Sequence, residues 1–303
     1  MPILNTHQRA ILLMVCAPTL WSMAGVVTRH LDAAHGFEIT FWRSFFSAVF
    51  VAGALLWQQG MRRTTVALRS LGLLGILSGM MWCVMFVCFM IALTKTTVAN
   101  TLVVLSISPL LTAFLAWLLL KQAIPARTWG AIAAAAIGMI WMFKPGVTDI
   151  NGTHLAGMLI AVAVPVAAAI NLIALKKAGQ SVDLMPAVLL GSIFSAGLML
   201  PLAWPLQASL HDIALMAVLG FFQLGLPCML MVKAAKSLSA PEVSLLALLE
   251  VLLGPIWAWL GAGEVPAPET LLGGGLVMAA LVFNEIAALR STANRRAAPQ
   301  PSS

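Results

Sequence analysis

The sequence predicts an all-α membrane protein with ten transmembrane helices, arranged as two inverted five-helix repeats with both termini in the cytoplasm. Two observations predict this class: the apolar composition and the one-sided distribution of positive charge. Hydrophobic residues make up 61% of the 303 residues and charged residues only 9%, whereas a soluble domain carries about 25% charged residues. Because an aqueous fold could not bury so much apolar surface, we expect a lipid bilayer around the chain.

The apolar residues fall into long stretches separated by short loops rich in Gly, Pro, Asn and charge. A helix needs about 20 residues to cross the hydrocarbon core of a bilayer, and ten stretches approach that length. The predicted spans are 10–28, 37–57, 70–92, 98–120, 126–143, 154–175, 185–206, 211–232, 241–260 and 268–289.

Basic residues are concentrated in alternate loops. If the N-terminus is cytoplasmic, 13 of the 17 Lys and Arg residues lie on the cytoplasmic side. Arg29, Lys95 and Lys144 lie on the opposite side, and Arg43 lies within a span. Cytoplasmic loops of membrane proteins carry an excess of positive charge, so we expect both termini in the cytoplasm and an even number of spans.

Ten spans divide into two halves of five, and an odd number of spans in each half inverts the second half. Pro18 in the first span and Pro165 in the sixth occupy corresponding positions. Inverted halves with interrupted helices are typical of secondary transporters. The predicted units are a first repeat over 1–147, a second repeat over 148–290 and a cytoplasmic tail over 291–303.

Several classes of function lack their motifs in this sequence. The four cysteines lie in apolar stretches without metal-ligand spacing, and the five histidines lie in loops or termini, so neither a metal site nor a disulfide framework is predicted. The phosphate-binding glycine signatures of nucleotide sites are missing. The sequence therefore predicts no cofactor, no nucleic-acid partner and no enzyme.

Three motifs resemble the drug/metabolite transporter superfamily of the EamA type: Leu-Trp-Ser at 20–22, Phe-Trp-Arg at 41–43 and Ser-Pro-Leu-Leu at 108–111. The resemblance covers nearly the whole chain. It implies a multi-pass transporter of the bacterial inner membrane, most similar to bacterial exporters of aromatic amino acids. Two features depart from the family pattern, because Lys121 stands where the family often has an acid and the chain contains no Tyr.

Glu250 is the first candidate for a substrate contact, since it lies near the middle of the ninth span. An acid at that depth costs roughly 2.5–3.5 kcal/mol on insertion scales, so it must face the protein interior or a watery cavity. There it would contact a substrate ammonium group or carry a proton. The structural alternative is a neutral acid hydrogen-bonded to a neighbouring helix.

Gln223 lies mid-span beside Gly225 and Pro227, a combination that favours a bent helix with free backbone groups. Such groups can bind the polar ends of an amino acid. The alternative is one interhelical hydrogen bond, worth about 0.6 kcal/mol on average.

Proline inside a helix removes a backbone hydrogen bond and bends the helix. The predicted hinges, which would gate a central pocket, are Pro18, Pro109, Pro165, Pro227 and Pro255. Ser106 would either satisfy a carbonyl freed near Pro109 or contact substrate. Asn171 would either bind a neighbouring helix or contact substrate.

Trp21 and Trp82 lie at mid-depth, although tryptophan normally occupies the membrane interface. They would wall an aromatic pocket or simply pack in the core. Arg43 lies about 9 Å inside the outer face, within reach of snorkelling. Asp32 and Glu38 are its expected partners, and the alternative is contact with a substrate carboxylate.

Together these patterns predict transport of a small organic solute, such as a zwitterion with an apolar side chain, by alternating access around a midplane cavity. The resemblance implies export of aromatic and other apolar amino acids. The alternatives are another metabolite or a cationic drug on the same fold, a passive channel, or a membrane-embedded enzyme pairing Glu250 with Ser106. The small-residue faces of spans 5 and 10 would allow a homodimer without excluding a monomer.

Overall fold

The computed structural model describes residues 5–28, 30–32, 36–96, 98–143, 152–179, 183–262 and 268–297. Within these ranges the regular structure is entirely helical and no strand is formed. In chain order the helices are α1 (Thr6–Trp21), α2 (Ala24–Thr28), α3 (Gly36–Arg69), α4 (Gly72–Lys95), α5 (Val98–Leu105), α6 (Ser108–Leu120), α7 (Ala126–Phe143), α8 (Gly152–Ala178), α9 (Met185–Ala203), α10 (Leu210–Val218), a π-helical segment (Leu219–Gly225), α11 (Leu226–Ala235), α12 (Ala240–Ala247), α13 (Leu249–Ala262) and α14 (Pro268–Ala297).

Five described helical stretches are long and apolar enough to cross a membrane. They are Gly36–Arg69, Gly72–Ala92, Leu155–Ala178, Met185–Ala203 and Leu210–Ala235, and shorter apolar helices cover Ser108–Leu120 and Leu271–Asn284. The protein is thus a multi-pass membrane protein, all-helical throughout the ranges that the structure describes. The count of ten spans and the cytoplasmic location of both termini stay predictions.

Several predicted spans are interrupted helices. The first consists of α1 and α2, the fourth of α5 and α6, and the ninth of α12 and α13, while the eighth passes through the π-helical segment. At the first break, the backbone carbonyl of Trp21 accepts from Gln223 Nε2 at 3.2 Å. Interruptions of this kind are tolerated at membrane depth where neighbouring protein groups satisfy the freed backbone.

Helix α3 continues well beyond the predicted end of the second span at residue 57. It changes direction at Gly60, whose φ of 76° lies in the region that only glycine adopts without strain. Thr64 Oγ1 donates to the carbonyl of Leu55 at 3.2 Å across this bend. The apolar pattern ends before the helix does, because the segment after Gly60 carries Arg62, Arg63 and Arg69.

Hydroxyl pairs and small residues bring the helices together. Between α3 and α9, the Oγ atoms of Ser44 and Ser195 form a hydrogen bond of 2.8 Å, and the Oγ atoms of Ser47 and Ser192 form one of 2.9 Å. Small residues and interhelical hydroxyl bonds are the usual contacts between helices in lipid, where apolar burial gives little driving force.

The small-residue faces of spans 5 and 10 pack against each other inside the chain. A Cβ atom added to Gly138 of α7 would lie 2.7 Å from the carbonyl oxygen of Gly273 in α14. This close approach within one chain covers the face around Gly138, and whether the protein is a monomer or a homodimer stays a prediction.

Candidate functional site

A cavity of about 160 Å³ lies where the interrupted helices meet. One enclosed water needs only about 10–15 Å³ on the same scale, so the space suits an organic solute. Both halves of the chain contribute to its lining, which consists of Trp21, Arg43, Trp82, Met85, Phe86, Phe89, Leu105, Ser108, Val164, Pro165, Ala168, Leu172, Gln223, Leu224, Cys228, Met231, Val243, Ser244, Ala247, Leu248, Glu250 and Val251.

Glu250 lies in the first turn of α13, directly after the break at Leu248. Its side chain is half-buried and lines the cavity. Among the described residues it forms neither a hydrogen bond nor an ion pair. A carboxyl group near a helix N-terminus is favoured by the helix dipole, and the cavity leaves it free to meet a cationic group.

Gln223 links the broken first helix to α3. Its Nε2 donates to the carbonyl oxygen of Trp21 at 3.2 Å, at the C-terminal end of α1. Its Oε1 accepts from Arg43 Nη1 at 3.5 Å. The first bond fixes which end of the amide faces Arg43, so the π-helical segment positions a polar group at the cavity wall.

Arg43 is a cavity residue and not a partner of the outer acidic groups. It is 3% exposed, and its Nε finds no hydrogen-bond partner in the part of the chain that the structure describes. Glu38 instead accepts from the backbone N–H groups of Gln207 and Ala208 at 2.9–3.0 Å, and the N–H of Asp32 donates to Asp212 at 2.8 Å.

The expected pairing of Arg43 with Glu38 or Asp32 was therefore wrong. Residues 38 and 43 are five positions apart on one helix, so their side chains point about 140° apart around its axis. Glu38 accordingly faces the segment after α9, while Arg43 faces the cavity.

Trp82 forms part of the aromatic wall. It is 3% exposed, and its ring centroid lies 5.7 Å from that of Phe86. Its indole N–H has no hydrogen-bond partner within the described ranges, which is unusual for a buried tryptophan. Trp21 lines the same cavity, so the structure brings together the two tryptophans singled out at mid-depth.

Asn171 and Ser106 lie outside the cavity lining. Ser78 Oγ donates to Asn171 Oδ1 at 2.6 Å, which places the amide between α4 and α8 and matches the interhelical alternative. Ser106 lies at the break between α5 and α6. It is Ser108 that lines the cavity, where it accepts from Ser244 Oγ at 3.3 Å.

Three of the five prolines lie beside an interruption. Pro18 precedes the end of α1, Pro109 follows the break between α5 and α6, and Pro227 follows the π-helical segment. The helical conformation continues through Pro165 in α8 and through Pro255 in α13. The break in the ninth span falls at Leu248, well before Pro255.

Proteins of similar sequence are transporters by name. The S-adenosylmethionine uptake transporter of Rickettsia prowazekii (strain Madrid E) is 25% identical over 291 residues, covering 92% of this chain and 93% of the relative. The pseudopaline exporter CntI of Pseudomonas aeruginosa (strain UCBPP-PA14) is 23% identical over 285 residues, covering 92% and 97%. Neither name mentions aromatic amino acids.

A human relative and a solved structure extend the comparison. Solute carrier family 35 member G1 of Homo sapiens is 25% identical over 281 residues, covering 86% of this chain and 74% of the relative. One crystal structure superposes with a TM-score of 0.77 at 16% identity, over 93% of this chain and 98% of that one. The similarity to this solved structure concerns the fold alone.

The family assignment rests on the sequence of both halves. The EamA-like transporter family matches residues 8–144 and again residues 155–285, which together make up most of the chain. The protein is accordingly a membrane transporter of small solutes and not an enzyme, and it belongs to the EamA-like transporter family.

Proposed function

We propose that this transporter exports aromatic and other apolar amino acids by alternating access around the central cavity. The observation that carries the proposal is an unpaired carboxyl group, that of Glu250, in a cavity otherwise lined mainly by aromatic and aliphatic side chains. A sugar phosphate would require clustered Lys or Arg, whereas among the described residues that line the cavity only Arg43 is basic.

In this proposal different cavity residues bind different parts of the substrate. Glu250 binds the ammonium group, and Gln223 contributes a polar contact near the broken end of α1. Trp21 and Trp82 contact the apolar side chain, which gains both burial and aromatic contact. Interrupted helices beside Pro18, Pro109 and Pro227 supply the places where the pathway opens and closes.

The proposed topology follows from the charge distribution. Ten spans form two inverted repeats over 1–147 and 148–290, with both termini in the cytoplasm of a bacterium and the tail over 291–303 beyond the last span. The matching of one family to both halves supports the division into repeats. The excess of Lys and Arg in alternate loops supports the orientation.

A ligand panel on the detergent-purified protein tests the substrate class. Phenylalanine, tryptophan and leucine are expected to raise the melting temperature in a saturable way, since a ligand that binds only the folded state stabilises it. S-adenosylmethionine and a cationic drug belong in the same panel. Stabilisation by either of these without any effect of the amino acids would contradict the proposal and favour a different solute on the same fold.

Trp82→Ala is expected to change which amino acids the transporter prefers. Removing the indole enlarges the cavity and removes an aromatic contact worth about 0.5–1.5 kcal/mol, so tryptophan and phenylalanine should lose several-fold more affinity than threonine. The measurement is competition against labelled phenylalanine in proteoliposomes. Trp82→Phe keeps a ring at this position and should preserve the ranking, and an unaltered ranking in Trp82→Ala would remove Trp82 from selectivity.

A further inference from the structure

Arg43 is a buried cation without adequate partners. Its guanidinium carries five N–H donors, yet among the described residues it forms a single hydrogen bond, a long contact of 3.5 Å from Nη1 to Gln223 Oε1, and Nε has no acceptor. Burying a charge costs free energy unless hydrogen bonds and an opposite charge compensate for it. An arginine that lines a solute-sized cavity and lacks acceptors for most of its N–H groups can bind an anionic group of a ligand.

Glu250 lines the same cavity but does not neutralise Arg43 by direct contact. No ion pair within 4.0 Å joins these two residues, both of which lie in the described part of the chain. The cavity therefore presents one basic and one acidic side chain that are both available to a third molecule. A ligand carrying a single charge would satisfy one of them and leave the other unpaired.

We propose that Arg43 binds the carboxylate of the substrate while Glu250 binds its ammonium group, so that the transporter selects zwitterions over amines and over simple acids. This inference rests on the proposed export of amino acids and names the second polar contact of that site. Guanidinium and carboxylate groups match in geometry and form strong paired hydrogen bonds, which a neutral amide or an ester on the ligand cannot reproduce.

Gln223 is the positioning residue for Arg43. Its amide is anchored by the carbonyl of Trp21 and presents Oε1 to the guanidinium. The contact holds Arg43 towards the cavity without neutralising its charge. Trp82 adds an unpartnered N–H to the same lining, which increases the number of donors open to an anionic group.

The test uses three ligands that share a benzyl side chain and differ in their polar groups. Phenylalanine carries both groups, phenylalaninamide lacks the carboxylate, and 3-phenylpropionate lacks the ammonium group. Their half-saturating concentrations are measured by thermal stabilisation of the purified full chain. The wild-type protein is expected to bind phenylalanine at least tenfold more tightly than either analogue.

Arg43→Gln should abolish the preference for phenylalanine over phenylalaninamide and keep the preference over 3-phenylpropionate, because Glu250 is still present. Arg43→Lys retains the charge and should restore part of the lost preference, which a purely structural role would not predict. Arg62→Gln, which removes an exposed arginine outside this cavity, is the control with the same change in net charge.

The outcomes separate this inference from the function on which it rests. Equal affinity of the wild-type protein for phenylalanine and phenylalaninamide would overturn the role of Arg43 and leave amino-acid export standing. An unchanged preference for phenylalanine over phenylalaninamide in Arg43→Gln would also overturn the role of Arg43. If that variant does not fold, the affinities of the wild-type protein for these two ligands test the inference by themselves. If none of the zwitterions binds the wild-type protein, the proposed function itself fails, and the inference fails with it.

Discussion

Glu250→Gln is expected to weaken the apparent affinity for phenylalanine by about 10–100-fold. The substitution preserves the shape of the side chain and removes the negative charge that would meet the substrate ammonium. Hydrogen bonds to charged groups are worth about 1.5–3 kcal/mol, and each 1.4 kcal/mol corresponds to a factor of ten in affinity. The half-saturating concentration in proteoliposome transport measures the effect, at several pH values so that a proton-carrying role also shows.

Glu269→Gln is the matched control for this variant. Glu269 lies in the first turn of α14 and outside the cavity lining, so its replacement removes one negative charge from the protein without touching the proposed site. Transport by the control should stay close to that of the wild-type protein. A Glu250→Gln protein with an unchanged rate, affinity and pH profile would exclude Glu250 from the mechanism.

Gly191→Ala is expected to destabilise the protein by about 1–3 kcal/mol, the usual cost of overpacking a close contact. A Cβ atom at this position of α9 would lie 2.4 Å from Trp82 Cβ and 2.9 Å from the carbonyl oxygen of Gly79. Neither atom belongs to the flexible end of a side chain, so α4 itself must move. Because α4 carries Trp82 into the cavity wall, affinity for phenylalanine should fall together with stability.

Gly197→Ala in the same helix supplies the control. Gly197 lies on the exposed face of α9, and an added Cβ would meet no atom within 4 Å. Since alanine favours a helix over glycine by about 1 kcal/mol, this variant should melt at or slightly above the wild-type temperature. A Gly191→Ala protein with the stability and ligand affinity of Gly197→Ala would contradict the close packing of α4 and α9 behind Trp82.

Much of the helical architecture could be predicted from the sequence, since stretches of apolar residues coincide with the described helices. The ends of the helices were less predictable. Helix α3 runs past residue 57 because Gly60 redirects a helix whose continuation is polar, and hydropathy registers only the apolar part. In the ninth span the break lies at Leu248 and not at Pro255, since proline weakens one backbone hydrogen bond without dictating where a helix separates.

Cavity residues were predictable from the sequence where an unusual residue type at mid-span was enough to identify them. Glu250, Gln223, Trp21 and Trp82 stood out because each is unusual at mid-span, and the structure brings all four to one cavity. Whether they bind substrate stays a prediction.

The direction in which a polar side chain points was harder to predict. In lipid, helices are apolar on most sides, so periodicity does not identify the face that turns inwards. The burial of Arg43 in the cavity wall and the interhelical position of Asn171 are consequences of packing between helices distant in sequence. The bond between Ser108 and Ser244 has the same origin, although the position of Ser108 directly before Pro109 was a usable signal.

Counterflow in proteoliposomes tests most directly whether this cavity carries amino acids by alternating access. Vesicles loaded with unlabelled phenylalanine are diluted into a trace of labelled phenylalanine, and the label inside is followed with time. A carrier that exchanges its substrate should accumulate label transiently above the external concentration, with saturable dependence on phenylalanine. Entry that rises linearly with concentration and never exceeds the external level would show a passive pore, and no entry above that of empty vesicles would show that phenylalanine is not a substrate.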